Sequence, residues 1–432
     1  MAQGNAGYAT PHHWLPCTTA MFHTAAIIIC AAALLNWANY KFIKLPSTIG
    51  VMLISLAASL ILIAFGEAEA GVRGEVGRLV AGIDFNAVIF HAMLPFLLFA
   101  GAMHVKLNEL RQQWLPVTLL ALVGTAASIF AIAGGLFLVL RLTGLPVPWL
   151  GCLLFGALIS PTDPIAVMGI MKSARAPRSI EIQIAGESLF NDGVGVVAFV
   201  ALLAVAAGEP LPSPGAAIIL LIHEIGGGAL VGLATGATAL LFIQRVDRYQ
   251  VEALLTVALA MGSYALAEVL HASAPIAVVV AGLCIGNHGR AFSMSQQTAQ
   301  RVDDFWELID EFLNICLFIL MGLEVIVLPL HSASLWAGAI AIIVSLAVRL
   351  AIVASIAGGL RAFARPLVPG SVAVLTWGGL RGGVSLALAL ALPAADHRDT
   401  LLAAAYVVVV FSILIQGLTF GPLIRRTFNR PS

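Results

Sequence analysis

Ser160-Pro161-Thr162-Asp163-Pro164 stands in the middle of an apolar run, 147–171, that is long enough to cross a bilayer. Pro161 has no N–H to donate to the carbonyl of Ala157, and Pro164 has none for that of Ser160. A continuous helix here would leave bare carbonyls at mid-membrane, so the run reads as two half-helices around an interruption. A second interruption lies in the apolar stretch 370–393, where Trp377-Gly378-Gly379-Leu380-Arg381-Gly382-Gly383 is glycine-rich around a cation. Paired interruptions at matching places in two halves are the pattern of transporters built from inverted repeats, with the binding site where the helices break.

The rest of the chain fits that reading. Of 432 residues, 60% are hydrophobic and only 10% charged, with mean hydropathy +1.00, which places the chain in the membrane class. Formal net charge is zero and no basic tract stands out, so nucleic acid is not an expected partner. Cys17, Cys30, Cys152, Cys284 and Cys316 lack metal-site spacing and read as small hydrophobes. No cationic region precedes the first apolar run, so no cleavable signal peptide is expected.

Apolar segments predict spans near 19–40, 47–65, 86–104, 115–140, 147–171, 180–207, 215–243, 250–270, 274–288, 311–330, 333–360, 370–393 and 400–424. The expectation is an all-α polytopic membrane protein of about 13 helices. If spans 1–6 repeat as spans 8–13, the discontinuous spans five and twelve correspond and cross. Charge gives an independent check. Loops after odd-numbered spans and the carboxyl tail hold sixteen of the 22 Lys and Arg; the other side holds Arg73, Arg78, Arg141 and Arg398. Arg349 and Arg381 lie within spans. The asymmetry puts the amino terminus (1–18) outside and the tail (425–432) in the cytoplasm.

Five ionisable residues fall well inside predicted spans: Asp163, Glu187, Asp192, Arg349 and Arg381. Such groups cost at least a few kcal/mol each at membrane depth and mark ion pathways. Three of them sit in or beside Gly186-Glu187-Ser188-Leu189-Phe190-Asn191-Asp192 and its neighbouring interruption. At 100° per residue, Glu187, Ser188, Asn191 and Asp192 share a helical arc of about 140°. Fully charged, the five sum to −1, a deficit that one monovalent cation or one proton neutralises. Asp163 and Arg381 suit the exposed ends of the broken helices, whose partial charges are about +0.5 and −0.5. Glu187 with Arg349 would make a structural ion pair. Asp192 is then the group free to bind proton or cation, with Ser188, Thr162 and freed carbonyls supplying oxygens for a hard ion such as Na+. Glu324 reads as snorkelling near the outer end of span ten, and Asp303, Asp304, Glu307, Asp310 and Glu311 as a solvated helix face.

With these motifs in this order, the chain resembles the monovalent cation–proton antiporters of the Na+/H+ exchanger family, the NhaP-type bacterial members in particular. The carrying residues are Ser160 to Pro164, Gly186 to Gly193, Arg349, and Gly379-Leu380-Arg381-Gly382-Gly383. The resemblance implies a core (about 115–207 and 333–424), a dimerisation scaffold (about 19–104 and 250–330) and a linker helix (about 215–243). It also implies a homodimer in the cell's inner membrane and elevator-like alternating access. Asp192 would exchange proton for cation, with Ser188, Thr162, Asp163 and Asn191 in or near the site. Asn191 stands where an electrogenic branch of the superfamily carries a second aspartate, so electroneutral exchange is implied. Relatives often carry an acid within Leu-Leu-Phe-(Asp/Glu)-Gly; here Leu97-Leu98-Phe99-Ala100-Gly101 lacks it. No cofactor is expected beyond the transported Na+ and H+, and no enzymatic activity. Exchange of K+, or broad selectivity including Li+, is the alternative; a cation channel is a distant one.

Overall fold

The computed structural model describes residues 15–65, 87–145, 147–209, 214–328, 331–393, 395 and 397–428. The first fourteen residues of the expected outer terminus, Arg73, Arg78 and the last four residues of the tail lie outside them. The described chain is all-helical, as a bilayer requires of backbone whose hydrogen bonds must be met within each segment. Eight of its helices are long and apolar enough to cross a membrane.

In the first half, α1 (Leu15–Ala38) and α2 (Ser47–Phe65) are followed by α3 (Leu94–Met103), which a π-helical turn precedes. The short α4 (Leu107–Gln112) leads into α5 (Trp114–Thr118), which runs through a π-helical segment into α6 (Thr125–Leu142). Next come the half-helices α7 (Trp149–Ile159) and α8 (Ile165–Ala174), then α9 (Arg178–Ala206). The long α10 (Pro214–Ile243) joins the halves. The second half runs α11 (Tyr249–Val269), α12 (Ala274–Cys284), α13 (Gln296–Glu324) and α14 (Ser332–Ala362). It ends with the half-helices α15 (Ser371–Trp377) and α16 (Gly383–Leu390), then α17 (Arg398–Phe411) and α18 (Gly417–Phe428).

Each predicted span corresponds to one helix or to one broken pair, and the broken pair is fifth in each set of six. The largest difference in boundaries is at the tenth span. The tenth helix begins at Gln296, fifteen residues before the apolar segment that announced it, and ends at Glu324. Ser295 caps it, its Oγ accepting the Thr298 N–H at 3.3 Å. Acidic residues do not stop a helix, so hydropathy detects only this helix's lipid-deep part.

Buried apolar side chains form two clusters. One runs under α2, α6–α9, the second half of α13 and α14–α18; Phe155, Phe199, Phe318 and Phe420 are among its fully buried members. The other lies between α3, α10, α11, α12 and the first half of α13, around Phe99 and Trp306, whose ring centroids are 4.6 Å apart. The broken helices belong to the first cluster and face the second.

Candidate functional site

The two interruptions meet. The Asp163 N–H donates to the Leu380 carbonyl at 2.8 Å, joining the break between α7 and α8 to the break between α15 and α16. Small residues permit the approach: a Cβ on Gly382 would overlap the Asp163 carboxylate, and one on Gly195 of α9 would overlap the Pro161 ring. Arg381 is 4% exposed, and its Nη1 donates to the carbonyls of Ser160 at 2.5 Å and Pro161 at 2.8 Å. Those carbonyls close the carboxyl end of α7, where a cation complements the helix dipole. The Arg381 N–H donates to Ser412 Oγ at 2.9 Å; the Ser412 hydroxyl donates to Gln416 Oε1, and Gln416 Nε2 to the Trp377 carbonyl. These bonds satisfy several of the backbone groups that the two breaks expose.

On α9, the arc read from helical spacing faces the crossing. Glu187 and Arg349 are 1% and 5% exposed and form a two-armed ion pair, with Nη2 to Oε2 at 2.8 Å. Arg349 Nη2 also donates to the Leu375 carbonyl at 3.1 Å, tying α9, α14 and α15 together. Asn191 is fully buried and grips Thr162 with both ends of its amide: Nδ2 donates to Thr162 Oγ1 at 2.8 Å, and Oδ1 accepts the Thr162 N–H at 3.4 Å. The Thr162 and Ser188 hydroxyls are 3.0 Å apart.

A cavity of about 380 Å³ reaches this cluster. Its deep end is lined by Thr162, Asp163, Ser188, Asp192 and Gly382, and its mouth by Lys106, Glu109, Lys172, Arg178 and Glu181. Asn191 does not line it; its amide stands behind Thr162 and aims that residue's oxygen. Asp192 is 8% exposed and lines the cavity, and among the described residues nothing donates a hydrogen bond to its carboxylate. Asp163, across the cavity's end, acts on it as a second negative charge. Two carboxylates and two hydroxyls in one water-accessible recess form an all-oxygen donor set, which suits a hard cation.

The sum of five buried charges was incomplete. Glu252 is fully buried on α11, and both its oxygens lack a partner among the described residues. Glu324 is 5% exposed, so it does not snorkel: it is enclosed with Arg398 and Tyr406 near enough to act on it electrostatically. Neither lines the cavity. The acid run 303–311 is not a uniform solvated face either. Asp303 pairs with Arg290, and Glu311 accepts from Ser47 Oγ at 3.0 Å, while Glu307 and Asp310 line the cavity. Burial lifts the Asp303 carboxyl above its ordinary pKa, and Arg290 opposes that shift. Helical spacing was the available signal: 307, 310, 314 and 317 fall on one face.

The fold and the sequence have relatives. The sodium proton antiporter MjNhaP1 from Methanocaldococcus jannaschii superposes with a TM-score of 0.74 over 96% of this chain and 99% of that one, at 18% identity. The Na(+)/H(+) antiporter NhaP of Pseudomonas aeruginosa is 47% identical over 94% of this chain and 97% of its own length. The Na(+)/H(+) antiporter NhaH of Halobacillus dabanensis is 33% identical over 89% and 93%. The family described as the transmembrane sodium/hydrogen exchangers matches residues 27–426, and the chain belongs to that family.

Proposed function

We propose that this chain is an electroneutral antiporter that exchanges one monovalent cation, Na+ or Li+, for one proton by alternating access, and that it is not an enzyme. The carrying observation is Asp192: a buried carboxylate without a hydrogen-bond donor among the described residues, opening on a polar cavity beside Thr162, Asp163 and Ser188. Arg349 and Arg381 are committed elsewhere, to Glu187 and to the α7 carbonyls. Desolvation favours the protonated acid and a bound cation favours the ionised one, so each ligand displaces the other. The names of the relatives at 47% and 33% identity support sodium as the cation. One carboxylate carries one charge in either direction, so the cycle escapes the ~2.3 kcal/mol per charge per 100 mV that a membrane potential imposes.

The loops carrying Lys106, Lys172 and Arg178 belong to the cation-rich side, which the positive-inside rule assigns to the cytoplasm. The cavity mouth lies among them, so the conformation is inward-facing in a multi-pass inner-membrane protein, with its amino terminus outside. In this reading the crossing unit, 115–207 with 333–424, carries Asp192 against a scaffold of 19–104 and 250–330, with 215–243 as linker. The scaffold supplies the face for a homodimer.

The test uses purified protein in liposomes containing a pH-sensitive dye. Na+, Li+ and K+ added separately should dissipate an imposed proton gradient for at least one ion, with no change in a voltage-sensitive dye. Asp192→Asn should abolish the response. A response that survives that substitution removes Asp192 as carrier, and a response to K+ alone replaces the sodium reading.

A further inference from the structure

Helix α13 presents one face to the cavity: Glu307, Asp310 and Leu317 line it, and Asn314 lies between them in register. The face is anchored at its deep end, where a Cβ on Gly383 would collide with Leu317. Asn314 is 1% exposed and its Nδ2 donates to the Asp310 carbonyl at 2.7 Å. At 1.5 Å rise per residue, Asp310 stands about 10 Å nearer the mouth than Leu317, and Glu307 about 4.5 Å further out. A cation entering from the mouth passes Glu307, then Asp310, before it reaches Asp163 and Asp192.

Most other charges on this route are matched. Glu109 and Glu181 share Arg178, at 2.8 and 2.6 Å, and Lys106 lies 3.9 Å from Glu109. Lys172 and His104 line the same cavity. The α3 wall contributes Leu94, Leu97, Leu98 and Gly101 to the cavity, and no carboxylate. Asp310 is near enough to Asp163 for each to act on the other's charge. The route ends at Asp192, whose buried carboxylate has no donor among the described residues. Carboxylates facing one another across a low-dielectric recess focus the field and concentrate cations there.

We propose that Asp310, assisted by Glu307, recruits the transported cation to Asp192 from the Lys106 side of the membrane only. The one-sidedness rests on the exchange reading above: α13 stays with the scaffold while the crossing unit moves, so Asp310 loses Asp192 when the opposite face opens. Asp310 is a positioning residue for charge, and it raises cation occupancy on one face without altering the other.

The experiment measures apparent KM for Na+ at fixed pH in everted and in right-side-out membrane vesicles from cells lacking their own exchangers. For Asp310→Asn, KM should rise about tenfold with the Lys106 face outward, equivalent to ~1.4 kcal/mol, and less than about twofold with the opposite face outward. Asp310→Glu should restore the wild-type asymmetry. Glu307→Gln, at an exposed position, should give a smaller rise on the same face, and it carries the test if Asp310→Asn does not accumulate. Equal shifts on both faces, or none on the Lys106 face, overturn the proposal. Wild-type exchange that vanishes in Asp192→Asn keeps the antiporter reading intact in either case; its absence in the wild type refutes that reading first.

Discussion

Arg349 is the residue whose removal tests the packing of the site most sharply. Arg349→Met deletes both arms of the pair with Glu187 and the bond from Nη2 to the Leu375 carbonyl. It leaves the Glu187 carboxylate 1% exposed with no counter-charge. Breaking a buried pair by removing one partner costs about 3–5 kcal/mol. The orphaned carbonyl adds about 1 kcal/mol, so the single variant should lose about 4–6 kcal/mol. Replacing both charges, as Glu187→Leu with Arg349→Met, removes the isolated carboxylate and its desolvation penalty. Buried pairs exchanged for apolar residues are often neutral or stabilising, so only the carbonyl's cost of about 1 kcal/mol should remain. The double variant should therefore be about 3–5 kcal/mol more stable than Arg349→Met alone. Thermal unfolding of the detergent-solubilised protein should rank wild type just above the double variant, and both well above the single. A double variant no more stable than Arg349→Met alone would refute the reasoning. The double variant should also retain cation–proton exchange, because neither side chain lines the cavity.

Three further outcomes follow from the same contacts. Asn191→Ala removes the amide that grips Thr162; the loss of about 1–1.5 kcal/mol of orientation should raise KM for Na+ about tenfold, read in proteoliposomes. Ser188→Ala deletes one cavity hydroxyl and should raise KM while leaving the maximal rate largely intact; an unchanged KM would exclude Ser188 from the ion's shell. Arg381→Leu strips the Ser160 and Pro161 carbonyls of their donor and should lower thermal stability by about 2–4 kcal/mol, with Arg381→Lys recovering part of it.

The two helix breaks were legible because their causes are local: Pro161 and Pro164 lack N–H groups that no neighbour can supply, and Gly378, Gly379, Gly382 and Gly383 flank Arg381. The shared face of Glu187, Ser188, Asn191 and Asp192 followed equally from the helical period. The pairing of Glu187 with Arg349 was read from the buried charges, but the part played by Asn191 was not. Asn191 turns its amide to Thr162 because the break in span five comes to rest against α9, a tertiary fact absent from either segment alone. The enclosure of Glu252 and Glu324 escaped notice for a related reason, since position along a span says nothing of what packs beside its end. The early start of α13 was hidden by polarity, and with it the two acids that enter the cavity. Ala100, where relatives often carry an acid, is fully buried and does not line the cavity, whereas α13 supplies two carboxylates to it.

Competition between proton and metal at Asp192 can be measured without transport. Purified protein in weakly buffered detergent solution is mixed with NaCl, with choline chloride as the control, and the released protons are counted against the Na+ bound. About one proton should leave per Na+ in the wild type, and none in Asp192→Asn, because only the ionised carboxylate accepts the cation. Undiminished proton release from Asp192→Asn, or Na+ binding to the wild type with no release, would contradict a single shared carboxylate.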